Sequence, residues 1–187
     1  FPAEQVQRIV LLNSSGNLEI EAHDQQQVVV EYDEELDNLA VNDGSLTISV
    51  NTDLTIQIPY GLELVIRNHS GDLSVNGAGD VTLENISGDV ELEDCIGTLR
   101  LTEIHGDLEV HGDGALLANG NLHGDVEVKG ASTVEIEQSH GDLTLEQVGT
   151  TTLRHVGGDL DAEGLRGALN FDRISGDATL KGVAGTV

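Results

Sequence analysis

Apolar and polar residues alternate along most of the chain in short runs, as in "LSV" from 73, "VEL" from 90, "LEV" from 108, "VEV" from 126 and "LTL" from 143. A period of two is the mark of a strand with one buried face; a helix needs apolar residues three and four apart. Each run follows a Gly-Asp word, with its glycine at Gly71, Gly88, Gly106, Gly124, Gly141, Gly158 and Gly176. The steps between these glycines are 17, 18, 18, 17, 17 and 18 residues. A weaker series falls about halfway between them: "GDVTL" at 79, "GTLRL" at 97, "STVEI" at 132, "GTTTL" at 149 and "GALNF" at 167. Self-similarity at a short fixed period signals a solenoid. The predicted unit is therefore a coil of 17–18 residues with two short strands, each opened by a glycine turn.

A coiling chain pairs each strand in parallel with its copy one turn later, which no hairpin can do. Leu73, Val75, Val90, Leu92, Leu108, Val110, Val126, Val128, Leu143 and Leu145 are expected to point inward from one sheet. Val81, Leu83, Leu99, Leu101, Val134, Ile136, Leu169 and Phe171 answer from the other. Ile86, Ile104, Leu122, Val156 and Ile174, each two residues before the next glycine, are expected to seal one edge. "GALLANGNL", residues 114–122, sets apolar residues side by side and predicts a bulge or a looser turn. The reading is one domain over 1–187, with 1–67 as irregular opening coils and 68–187 as the regular repeats. The acidic stretch "YDEELDN" at 32–38 reads as an exposed loop.

"IPYGLELVIRNHSGDLSV", residues 58–75, followed by the repeated Gly-Asp words, resembles a bacterial adhesin-type β-strand-repeat family of unknown function. Ile58 stands where that family usually has Leu. The resemblance covers most of the chain. It implies a right-handed parallel β-helix, exported or tethered at the cell envelope, with no assigned catalytic residues.

Composition narrows the function classes. The chain carries 34 acidic and 8 basic residues, a net charge of −26, which opposes binding to nucleic acid or an anionic membrane. No apolar run reaches the ~20 residues of a membrane span. Two Phe, two Tyr and no Trp leave a thin aliphatic core and few rings for sugar stacking. The single Cys95 excludes an intrachain disulfide and reads as a small core residue. The chain begins "FPAEQVQ", without Met or a signal-like segment, as a mature or trimmed form would.

Stacked coils would align Asp72, Asp89, Asp107, Asp125, Asp142, Asp159 and Asp177 in a ladder, with Glu91, Glu109 and Glu127 in a second row. Neighbouring rungs ~4.8 Å apart repel by only about 0.9 kcal/mol in water, yet seven rungs call for compensation. Local turn amides are the expected source, as in Asx turns. The sharper alternative is a cation ladder over Asp89, Asp107, Asp125 and Asp142. One Asp per turn offers too few oxygens for a closed β-roll calcium site, so no cofactor is expected beyond weak Ca2+ association. His105, His123 and His140 precede three consecutive turn glycines and should stack, either as solvated turn residues or as zinc ligands. Arg100 and Arg154 read as isolated charges, and the sequons at Asn13, Asn68 and Asn85 as chance.

Nothing marks a nucleophile with its base. The expected function is a non-enzymatic structural or adhesive envelope module presenting an acidic sheet face to a protein or glycan surface. Two rivals stay open: a calcium-binding β-roll-like module and a polysaccharide-active β-helix enzyme. Both a monomer and a small homo-oligomer fit the pattern.

Overall fold

Alternation becomes strand at every repeat. The computed structural model describes residues 1–32 and 38–186, so most of the expected acidic loop lies outside the described residues. The opening part contains β1 (Arg8–Ser15), β2 (Leu18–His23), β3 (Val29–Tyr32), β4 (Asn38–Asn42), β5 (Ser45–Ser49) and β6 (Leu54–Pro59). The first regular coils follow as β7 (Glu63–Ser70), β8 (Leu73–Asn76), β9 (Val81–Ile86), β10 (Val90–Glu93), β11 (Thr98–Ile104) and β12 (Leu108–His111). Then come β13 (Ala115–Leu122), β14 (Val126–Lys129), β15 (Thr133–Ser139) and β16 (Leu143–Glu146). The last coils are β17 (Thr150–Val156), β18 (Leu160–Glu163), β19 (Leu169–Ile174) and β20 (Ala178–Lys181).

From β7 onward the strands alternate between two ten-stranded sheets, each pairing in parallel with the strand two places on. The result is an all-β parallel solenoid of about seven regular turns. One sheet runs β19-β17-β15-β13-β11-β9-β7-β1-β5-β4, and the other β20-β18-β16-β14-β12-β10-β8-β2-β6-β3. Below these are called the first and second sheets.

The opening residues depart from simple winding. Strands β1 and β2 do not lie at the end of the rod: β1 sits between β5 and β7, and β2 between β6 and β8. The chain lays down one coil, passes beneath it through β3 to β6, then returns above it at β7. Strands β3 and β4 close this end by running antiparallel to β6 and β5. Strands β4 and β3 are thus the terminal strands of the two sheets at this end. The opening strands therefore stack out of chain order.

The core is one aliphatic column between the sheets. All the expected inward residues are buried except Phe171, which is 42% exposed on β19, the terminal strand of the first sheet. Ile86, Ile104, Leu122 and Val156 seal the edge as expected, and Ile174 in the last coil is partly buried. Ser14, His69 and Ser139 occupy the same column and are buried too. The His69 Nδ1 lies 2.9 Å from the Ser14 hydroxyl. Cys95 is a core residue, and its burial pushes the thiol up to about 11. The bulge expected in 114–122 is present: the register of β13 shifts between Ala118 and Asn121 against β15.

Candidate functional site

The glycine of each Gly-Asp word has no room for a side chain. A Cβ on Gly106 would fall on the carbonyl oxygen of Gly88 and near the Oδ1 of Asp89, and Gly124 meets Gly106 and Asp107 likewise. The following aspartate explains that crowding. Its Oδ1 accepts a hydrogen bond from the backbone N–H of the aspartate one coil later. The distances are 3.1 Å for Asp89 to Asp72, 2.9 Å for Asp107 to Asp89, and 2.8 Å for Asp125 to Asp107. The series continues at 2.9 Å for Asp142 to Asp125, then 2.8 Å for Asp159 to Asp142 and for Asp177 to Asp159. Glycine and aspartate are thus one device, since the carboxylate fills the space that the next glycine vacates.

This corrects the expected local turn. The carboxylate is satisfied by the next coil and not by its own turn. The column also extends below the first Gly-Asp word, where the N–H of Asn17 donates to Asp53 Oδ1 at 2.7 Å. The halfway series repeats the bond at one place, where Thr98 N–H donates to Asp80 Oδ1 at 2.7 Å among the described residues.

Beside the ladder, on the outer face of the second sheet, Glu91, Glu109 and Glu127 stand in register. Asp72, Asp89 and Asp107 join these three glutamates along a shallow groove of about 890 Å³. The next outward column is mixed in charge. Lys129 pairs with Glu146 at 3.0 Å, and His111 Nε2 lies 3.1 Å from Glu109 and 3.9 Å from Glu127. On the first sheet Arg100 and Arg154 are not isolated: they reach Asp80 at 4.0 Å and Glu137 at 3.9 Å. Pairs this exposed contribute little to stability.

The three histidines stack as expected. His105 and His123 have ring centroids 4.7 Å apart with planes 10° from parallel, and His123 and His140 are 5.0 Å apart at 8°. Equal turns one coil apart impose this arrangement. Parallel rings do not converge on one ion as they stand, because their nitrogen lone pairs lie in the ring planes. Glu103 is a neighbour that sequence reasoning missed. Its Oε2 lies 3.5 Å from His123 Nε2, and its Oε1 accepts from Asn121 Nδ2 at 2.6 Å. That Asn121 bond is the main cause holding the Glu103 carboxyl below the usual carboxylate range. Among the described residues, two groups each bring three donor atoms within 4.8 Å of one another: Glu103, His105 and His123, and Glu109, His111 and Glu127.

The three sequons are also explained by position. Asn13, Asn68 and Asn85 occupy one column with φ of 53°, 54° and 59°, the left-handed region that asparagine tolerates best after glycine. Their side chains form a ladder of their own, Asn68 Nδ2 to Asn13 Oδ1 at 2.9 Å and Asn85 Nδ2 to Asn68 Oδ1 at 3.0 Å. The signal in the sequence was an Asn two residues before the pre-glycine Ser15, Ser70 and Ser87, in step with Gly16, Gly71 and Gly88.

No helix among the described residues is long and apolar enough to cross a membrane. Neither curated proteins nor solved structures yield a match to this chain. The model of a β-solenoid family described as Toastrack DUF4097 matches residues 6–184, so nearly the whole sequence takes part, and the protein belongs to the Toastrack family.

Proposed function

We propose that this domain is a rigid, non-enzymatic structural module of the bacterial envelope that displays the acidic face of its second sheet to cationic or polar surfaces, protein or glycan. One observation carries this reading: from Asp72 to Asp159 each ladder carboxylate spends one oxygen on the amide of the next coil. The most repeated chemistry in the chain therefore serves cohesion between coils. Its remaining charge, with Glu91, Glu109 and Glu127 beside it, faces the groove. A bound calcium takes six to eight oxygens, and a carboxylate already committed to an amide has less to offer. The reading needs no cofactor. The envelope location and the adhesive role rest on the family resemblance.

Surface binding tests it directly. The chain is passed over polylysine-coated, neutral-glycan and polyuronate surfaces while salt is raised, alongside a variant with Glu91, Glu109 and Glu127 all changed to Gln. The expected result is retention on polylysine that weakens with salt and with the triple change. Retention on polyuronate, or turnover of a glycan, would overturn it.

A further inference from the structure

Repeats serve as their own controls: a position that breaks its column asks for a local reason. The residue before each turn glycine is Ser70, Ser87, His105, His123, His140, Gly157 and Ser175. The left-handed column two residues earlier reads Asn13, Asn68, Asn85 and then Glu103, with φ of 55° at the glutamate. Both columns change in the same coil. Glutamate is a poor choice for that backbone region, and it ends the asparagine ladder. One coil later β13 bulges, its register shifting between Ala118 and Asn121.

The bulge brings both the N–H and the Nδ2 of Asn121 to one oxygen of Glu103, at 3.4 Å and 2.6 Å. The other oxygen is turned to His123 Nε2 at 3.5 Å. Bulges beside functional sites commonly re-aim side chains in this way. A hydrogen bond that fixes one carboxylate oxygen and frees the other is how outer residues orient a metal ligand.

We infer that Glu103, His105 and His123 form a surface site for a first-row divalent transition metal, with zinc the best match. Their donor atoms already lie within 4.8 Å of one another. Tetrahedral zinc at 2.0–2.1 Å from each nitrogen needs the donors about 3.3 Å apart. His105 and His123 are exposed, and the broad torsion of an imidazole lets the two stacked rings tilt toward one ion. Glu103, held by Asn121, is the fixed ligand about which they close. Water completes the coordination, so the site is open. Imidazole nitrogen favours zinc, copper or nickel over calcium, which takes oxygen donors. His140 stacks on His123 one coil farther from Glu103 and lies outside the set.

Calorimetric titration with zinc chloride tests the assignment, run in excess calcium to fill the diffuse carboxylate field, with strand circular dichroism confirming that each variant is folded. The expected result is one saturable zinc site, abolished by His123→Ala and by Glu103→Gln. Asn121→Ala, acting through Glu103, weakens it about 10–100-fold, and His140→Ala leaves it unchanged. Heat that disappears in excess calcium would overturn the site, as would affinity that survives both ligand changes. Equal losses from His140→Ala and His123→Ala would overturn the role of Glu103.

Discussion

Aspartate 125 receives the amide of Asp142 and gives its own amide to Asp107, at 2.9 Å and 2.8 Å. Asp125→Ala removes the acceptor and leaves that amide to water, so a loss of about 1 kcal/mol in denaturant stability is expected. Asp125→Asn keeps an acceptor oxygen and should change little. Gly124→Ala is the harsher change, because its Cβ would fall on the Gly106 carbonyl and the Asp107 carboxylate; a loss of about 1–3 kcal/mol is expected. His69 supplies the pH dependence. Burial lowers its pKa from the ordinary 6.5, against a partial upward pull from Asp72. Below about pH 6.5 the unfolded chain takes up a proton that the folded one refuses. Stability should therefore be full above that pH and fall as pH drops through it. His69→Ile, copying Ile86 in the same column, should flatten this fall in urea titrations between pH 7.5 and 5.5.

At the scale of elements, the regular strands were legible because each one repeats both alternation and turn word, so errors in one copy are corrected by the next. The opening strands were not. Alternation is the same for parallel and antiparallel neighbours, and nothing in "SLTISV" or "LTIQI" says that β5 and β6 lie beneath β1 and β2. The ladder was visible as a column of carboxylates, but its bonds were not, because the donor belongs to a coil 17 or 18 residues away. Glu103 escaped notice since the bulge that brings Asn121 to it changes the register by which columns are counted. Position along the rod should also set the cost of cavities. Leu101→Ala, at a site 1% exposed between two coils, should cost about 2–5 kcal/mol. Phe171→Ala, 42% exposed in the last described coil, should cost clearly less by the same denaturant midpoints.

The whole molecule is an aliphatic column with a charge of −26 around it. Exposed carboxylates one coil apart repel weakly in pairs, yet the repulsion acts along the full length of the rod. Added sodium chloride screens it and should raise the melting temperature. Cohesion comes from the stacked aliphatic side chains, the strand ladders, and the aspartate bonds at one corner.

If the Gly-Asp words are fasteners between coils and not cation sockets, the strand structure stands without calcium. Thermal unfolding followed by strand circular dichroism, in calcium, in magnesium and in EGTA at matched ionic strength, measures this directly. Coincident curves in the two cations and a fully folded baseline in EGTA are the predicted result. Loss of the strand signal in EGTA, restored by calcium and not by magnesium, would contradict it.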